Sequence, residues 1–415
     1  MLTRPSTTLT SRWAILTTTG PYKQHYYRRA PSPKSAQLTE LLEKYASSPQ
    51  RPMNLSDLLA FGRPTVTPES VLASVSYALA EIPRRLATRV RSLEALPFIV
   101  GTNPYIANTL AADKDSFLWL ATYPTPTTLD ENALFAAELE DVVGRHANDI
   151  PTMAKGFQEC SKYLSPSQIN EFLDGAIRNR LSVRLIAEQH VALSHAINSS
   201  ERSNIGIVDM QCSPAQMIKM CGNFVTELCE ATLGASPSIV IDGHADAKFA
   251  YVPVHMEYIL TEILKNSFRA TVEHHSRHST KELPPIIITL SPSPKLSGDP
   301  SSCFSLRIRD QGGGVSPSNI EKIFSYAFTT AGRAADGSAL DEDNGGPYAA
   351  QYVGGSAAIG DGGIGEGNLF AEITGKGLQT GLGTIAGLGY GLPMSRLYAK
   401  QVWVLFLAPD FSFHD

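Results

Sequence analysis

The chain has 415 residues, a formal net charge of −5, and 43% apolar against 18% charged residues. At about 100 to 200 residues per domain, this length predicts two or three domains with real cores. The mildly acidic balance argues against a general nucleic-acid or membrane-surface binder, since both need a concentrated basic field.

No uninterrupted apolar run approaches the roughly 20 residues that cross a bilayer, so no membrane span is expected. Cys160, Cys212, Cys221, Cys229 and Cys303 are odd in number and contain no Cys-x-x-Cys pair. They read as buried or incidental thiols rather than as a disulfide framework or a zinc ribbon.

Residues 1–37 carry Arg4, Arg12, Lys23, Arg28, Arg29 and Lys34 among many Ser and Thr, and no acid precedes Glu40. This is the composition of an organellar presequence, with a disordered basic tail as the alternative. From about Leu38 to Ala196 the pattern is helical and broken by Pro-rich joints near Pro64, Pro97 and Pro124, with no convincing strand. The clearest helix start is Leu164-Ser-Pro-Ser-Gln-Ile169. There Ser165 can cap, Pro166 suits the first helical position, Gln168 can close a capping box, and Leu164 can staple to Ile169. Leu173, Ile177, Leu181 and Leu185 then recur every four residues. That apolar stripe calls for neighbours such as a helix from about Pro68 to Leu96, so a helical bundle is the economical reading.

After about Ser199 short β-type runs alternate with helical ones: Ser238–Ile241, Phe249–Val252, Ile286–Leu290 and Phe304–Ile308. An α/β domain is expected to follow the bundle, making the chain α+β. Residues 291–302 read as a surface insertion. Residues 331–386, dominated by Gly, Ala, Asp and Ser, are too long for an ordinary loop and read as a lid.

Between the strands lies Glu257-Tyr-Ile-Leu-Thr-Glu-Ile-Leu-Lys-Asn-Ser-Phe-Arg-Ala270. As a helix it sets His255, Glu262, Asn266 and Arg269 on one face, with Leu260, Ile263, Leu264 and Phe268 largely on the other. Two glycine-rich turns follow, Asp310-Gln-Gly-Gly-Gly-Val315 and Gly387-Leu-Gly-Tyr-Gly-Leu-Pro393. Asp310 sits where an alternating strand gives way to a turn. Glycines there allow close backbone approach, and the second turn leads into a helix start that favours phosphate.

Phosphoryl transfer asks a protein to position the nucleotide, screen phosphate charge with a metal and orient the attacking hydroxyl. Asn266 offers an oxygen to magnesium, and Glu262 can accept a proton from an alcohol or hold a water in the metal shell. Each feature alone has a plainer reading: a solvated helix face for the Glu/Asn pair, and simple turns for the glycines. No P-loop, Rossmann fingerprint or protein-kinase signature is present.

The ordered set of a Glu-x-x-x-Asn helix, an Asp-x-Gly-x-Gly turn, a long lid and a Gly-x-Gly-x-Gly turn resembles the ATPase fold shared by gyrase, Hsp90, sensor histidine kinases and MutL. Glu262-Ile-Leu-Lys-Asn-Ser-Phe-Arg-Ala-Thr-Val-Glu273, Phe324-Ser-Tyr-Ala-Phe-Thr-Thr-Ala331 and Gly389-Tyr-Gly-Leu-Pro-Met-Ser-Arg-Leu-Tyr-Ala-Lys400 narrow the match. They resemble the mitochondrial pyruvate and branched-chain 2-oxoacid dehydrogenase kinases. Phe172-Leu-Asp and Arg180-Leu-Ser-Val-Arg-Leu-Ile-Ala-Glu-Gln-His190 are similar to the long helix of that family's bundle.

The resemblance implies a presequence at 1–37, a regulatory bundle at 38–200, an α/β sandwich ATPase domain at 201–400 with its lid at 331–386, and a divergent tail at 401–415. It implies ATP and Mg2+ as cofactors, with Glu262 as general base, Asn266 on the metal, and Lys265 and Arg269 beside the phosphates. Asp310 would take the adenine amino group, with Gly312 and Gly314 shaping the pocket. Thr329 and Thr330 would contact nucleotide, and Gly387, Leu388, Gly389, Tyr390, Gly391 and Leu392 would wrap the phosphates. The implied substrate is serine on the E1 α subunit of a 2-oxoacid dehydrogenase in the mitochondrial matrix. The implied partners are the lipoyl domain of E2 and a second copy of the chain.

Lys400 leads into Gln401-Val-Trp-Val-Leu-Phe-Leu-Ala-Pro-Asp-Phe-Ser-Phe-His-Asp415, where the family has two further strands. This reads as a retained intron or gene-model error, or as a shortened isoform, and it makes a non-catalytic lipoyl-binding scaffold the alternative function. A sensor histidine kinase is the third reading. Its nearest approach, Leu193-Ser-His-Ala196, lacks the acid and Thr-Pro expected around a phosphoacceptor, and His190 is expected to pack or orient groups. Tyr258-Ile-Leu and Glu273-His-His275 lean toward the branched-chain relatives.

Overall fold

The computed structural model describes residues 35–51, 53–62, 65–197, 204–277, 282–292, 304–326 and 389–401. Its first part is helical: α1 (Ser35–Ala46), α2 (Leu55–Ala60), α3 (Pro68–Glu94), α4 (Phe98–Gly101), α5 (Pro104–Thr122), α6 (Leu129–Arg145), α7 (Asp149–Glu159) and α8 (Pro166–Ala196). Helix starts follow local chemistry. At α8 the Ser165 side chain accepts the Gln168 N–H, the Gln168 side chain accepts the Ser165 N–H, and Pro166 opens the helix. Equivalent boxes pair Asn54 with Asp57, Thr67 with Ser70 and Thr128 with Glu131, each cap worth about 1 kcal/mol.

Leu173, Ile177, Leu181 and Leu185 are buried as the four-residue stripe requires. Helix α8 packs on α3 and α6, and α3 also packs on α1 and α5. Helix α3 is therefore the hub of the bundle, with α8, its longest helix, packed along it.

The remaining elements are β1 (Asn204–Ile205), β2 (Val208–Cys212), α9 (Pro214–Leu233), β3 (Ile239–Gly243), β4 (Phe249–Tyr251), α10 (Pro253–Arg277), β5 (Ile286–Pro292), β6 (Phe304–Arg309), α11 (Pro317–Ile320) and α12 (Gly391–Gln401). One antiparallel sheet has the order β1-β2-β4. The other has the order β3-β5-β6, with β3 parallel and β6 antiparallel to β5. Ile286, Ile288 and Leu290 point from β5 onto Leu260, Leu264, Phe268 and Val272 of α10 and onto Ile218 and Val225 of α9. Strand β6 alternates Phe304, Leu306 and Ile308 toward this core with exposed Ser305, Arg307 and Arg309. The result is a two-layer α/β sandwich joined to a helical bundle.

The β1–β2 hairpin was not among the expected strands, although Val208-Asp-Met-Gln-Cys212 alternates with period two. It leans on the bundle. Gln189 of α8 accepts the Ile207 N–H at 2.9 Å and donates to the Leu58 carbonyl at 2.9 Å. Gly206, at φ +60°, lies against that side chain, where a Cβ would collide.

Cys160, Cys212, Cys221 and Cys229 are free and buried, and burial pushes the Cys212, Cys221 and Cys229 thiols up to about 11. Cys303, the 331–386 lid, the 1–34 segment and the tail from Val402 lie outside the described residues. Among those described, no helix is long and apolar enough to cross a membrane.

Candidate active site

Pro253 opens α10, where its fixed φ suits a first helical position and its missing N–H costs nothing. Burial of Leu260, Leu264, Phe268 and Val272 against the sheet turns the helix so that Glu262, Lys265, Asn266 and Arg269 share the opposite side, all half-buried. The Lys265 ammonium lies 2.7 Å from Glu262 Oε1, and Arg269 Nε lies 3.6 Å from Glu273 Oε1. Among the described residues the Asn266 side chain makes no hydrogen bond, so its amide oxygen remains available. His255 differs from the expectation of a polar face. It is buried, its ring packs against Tyr398 at 4.8 Å, and burial pulls its pKa down to about 3.

Both glycine turns close on this helix. Strand β6 delivers Asp310, whose Oδ1 accepts the Gly312 N–H at 3.0 Å in an Asx-type turn, leaving Oδ2 outside that bond. Gly312 lies on Ala270, and a Cβ there would come within 2.8 Å of the Ala270 carbonyl carbon. Gly313 and Gly314 follow at φ +83° and +73°, with Gly313 beside the His274 ring. At the other end Gly389 takes φ +78°, and a Cβ on Gly391 would run into the Glu262 carboxylate.

Ala270 and Glu262 are eight residues apart on α10, so the two turns meet it about 12 Å apart along its axis. The N-terminus of α12 begins at Gly391, where free amides and the helix dipole favour an anion. The Tyr390 side chain faces away from this groove into the bundle core, beside Tyr326, so at that position the backbone is what borders the site. Leu392 is half-buried on the first turn. Thr329, Thr330, Gly387 and Leu388 lie outside the described residues.

Helix α12 is packed into the bundle. Tyr326, Tyr390, Met394, Leu397 and Tyr398 share one core with Ile106, Phe157, Leu173 and Ile177. Tyr398 is fully buried against His255 and Tyr258 of α10. The end of the polar side of α10 from His255 to Glu262 is therefore covered by α12.

Sequence reasoning missed a charged network inside the bundle. Arg89 reaches Asp113 at 2.7 Å and Asp149 at 2.9 Å. His146 bonds Asp149 at 2.9 Å through Nδ1 and Ser116 at 2.7 Å through Nε2. Burial would raise the Asp149 carboxyl, but the His146 hydrogen bond and the Arg89 and Arg180 charges outweigh it and hold the group at about 2. For Asp113 burial wins over Arg89, and its pKa is raised. Asp113, His146 and Asp149 lie close enough together to share a metal ion, yet the Arg89 guanidinium already bridges both carboxylates and supplies the positive charge. Each of these residues reads as an ordinary helix position until its partners are known.

His190 packs, as expected. It is buried beside Phe135, its Nδ1 lies 3.2 Å from Ser74 Oγ, and burial pulls its pKa down to about 4.

Residues 52–209 match the family described as mitochondrial branched-chain alpha-ketoacid dehydrogenase kinase. Over most of its length the chain is similar to a mitochondrial [pyruvate dehydrogenase (acetyl-transferring)] kinase of Arabidopsis thaliana. Identity is 27% over 371 residues, covering 89% of this chain and 88% of that protein. It is 28% identical to isozyme 3 of that kinase from Mus musculus, over 90% of this chain and 80% of the relative. To the Drosophila melanogaster kinase it is 26% identical, over 89% and 81%.

Proposed function

We propose that the chain, a kinase related to the mitochondrial pyruvate and branched-chain 2-oxoacid dehydrogenase kinases, phosphorylates serine on the E1 α subunit of such a dehydrogenase in the mitochondrial matrix. The observation that carries this reading is the closure of both glycine turns on one face of α10, at Ala270 and at Glu262. The base of ATP lies at the Asp310 end, where the free carboxylate oxygen accepts its amino group. The phosphates lie at the Gly391 end, where the amides of a helix start meet them. Residues 38–200 form the regulatory part, and lipoyl domains of E2 and a second copy of the chain are the proposed partners.

Asn266 fits a magnesium ligand. It is a neutral oxygen donor without a protein partner among the described residues, on the turn of helix next to Glu262, and magnesium takes few protein ligands. When bound, the ion screens charge on the phosphate oxygens. Lys265 holds the Glu262 carboxylate in place. The serine oxygen attacks the γ-phosphorus as its proton passes to Glu262, and the bond to the bridging oxygen breaks to leave ADP. Arg269, held near Glu273, adds positive charge along the same face.

The test is incubation of the full chain with Mg2+, labelled ATP and an E1 α subunit. Phosphoserine on the substrate is expected. Glu262→Gln should bind nucleotide and lose transfer by about a hundredfold or more, and Asn266→Ala should lose the magnesium dependence of ATP binding. Lipoyl-domain binding with no transfer would replace the kinase reading by a scaffold, and acid-labile phosphate on the chain itself would replace it by a histidine kinase.

A further inference from the structure

We propose that Asp174, on bundle helix α8, is a positioning residue for the nucleotide site, clamping the segment Phe324–Tyr326 and helix α12 onto the bundle. Its Oδ1 accepts the Tyr326 hydroxyl at 3.3 Å and lies 3.7 Å from Arg396 Nη2, while its other oxygen pairs with Arg178. One turn earlier on the same helix, Asn170 Oδ1 accepts the Tyr326 N–H at 2.8 Å. The Tyr326 ring packs on Tyr390 at 5.3 Å, and the Arg396 guanidinium lies over the Phe324 ring at 4.8 Å. Tyr390 immediately precedes Gly391, which abuts the Glu262 carboxylate. A single carboxylate on the bundle thus reaches the base through two short routes, Tyr326–Tyr390–Gly391 and Arg396 within α12.

The ion pair with Arg396 is nearly a third exposed on the arginine side and contributes little. The hydrogen bond from buried Tyr326 to a charged acceptor is the stronger tether, and its loss leaves a buried hydroxyl unpaired. Without the clamp, a smaller fraction of molecules holds the phosphate turn ready, and apparent nucleotide affinity falls with that fraction. Bound nucleotide restores the arrangement, so the effect belongs in KM for ATP rather than in kcat. This kinetic arm depends on the kinase reading, but the physical link does not.

The experiment compares full-length wild type, Asp174→Ala, Asp174→Asn and the exposed control Glu171→Ala. In Asp174→Ala, amide exchange without nucleotide should quicken in peptides covering 321–326 and 389–397 and stay unchanged along α8. KM for MgATP should rise roughly tenfold with kcat within about threefold. Asp174→Asn, whose amide oxygen still accepts from Tyr326, should fall between, and Glu171→Ala should match wild type. Unchanged exchange in those two peptides overturns the proposal. So does exchange that quickens along all of α8, which marks a general folding role, or a fall in kcat with KM unmoved. Faster exchange of those two peptides in Asp174→Ala, together with a wild-type chain that phosphorylates no E1 α, would sink the kinase reading alone.

Discussion

Gly391→Ala should slow phosphoryl transfer about a hundredfold while leaving the fold and nucleotide binding nearly intact. A Cβ at this position would collide with Glu262 Oε2 and come within 3.1 Å of Glu262 Cδ and 3.4 Å of its Cγ. The obstacle is the far end of a flexible side chain, so Glu262 swings aside and α12 keeps its place in the bundle core. Swinging stretches the 2.7 Å contact to Lys265, a pair whose side chains are only 14% and 19% exposed, at up to about 1 kcal/mol. An off-rotamer torsion adds about 0.5 to 1.5 kcal/mol, so the loss of stability is roughly 1 to 2 kcal/mol. The rate responds more steeply, because a base misplaced by about 1 Å costs on the order of a hundredfold. Calorimetric binding of MgATP, urea unfolding and single-turnover transfer to E1 α measure the three quantities separately. A kcat within twofold of wild type would show that the Glu262 carboxylate does not need the place Gly391 leaves for it, and the base assignment would fall with it.

At the opposite end of the groove, Gly312→Ala meets backbone, since its Cβ would lie 2.8 Å from the Ala270 carbonyl carbon. The turn must lift off α10 at about 1 to 3 kcal/mol, carrying Asp310 with it, so MgATP affinity should fall at least tenfold; unchanged affinity would place the adenine elsewhere. His190, buried neutral with its pKa pulled down to about 4, takes up its proton only in the unfolded chain between about pH 6.5 and pH 4, so stability falls with pH through that window. Between pH 7 and pH 5 it should account for about 2 kcal/mol of lost unfolding free energy, and His190→Gln should remove that share; an equal pH dependence in both chains would refute it.

Residues close in sequence carried most of what was legible. The i,i+4 spacing of Glu262 and Asn266 fixed their common face, Ser165 and Gln168 fixed the start of α8, and period-two alternation ending at Asp310 marked a strand that delivers an acid. What could not be read depends on partners far along the chain. Nothing near Arg89 announces Asp113 and Asp149, 24 and 60 residues later. His255 falls on the Glu262 side of α10 by angle alone, and only the position of Tyr398, 143 residues on, decides that it is buried. The β1–β2 hairpin was readable in principle, because Val208-Asp-Met-Gln-Cys212 alternates, but five residues with two polar ones give a weak signal.

The arrangement of α12 explains why the Glu262 face of α10 should be sensitive to the placement of the bundle. Its first residue borders Glu262, its aromatic Tyr398 stacks on His255 and Tyr258 of α10, and Met394 and Leu397 sit in the core that α8 shares. A close-packed helix of three turns does not bend between those contacts; it shifts as a body. Where α12 follows α8, a displacement of α8 relative to α10 is felt at Gly391, which abuts the Glu262 carboxylate. Any ligand or partner that prefers one placement of α8 can act on Glu262 this way, by its difference in affinity between the two placements and by no more than that.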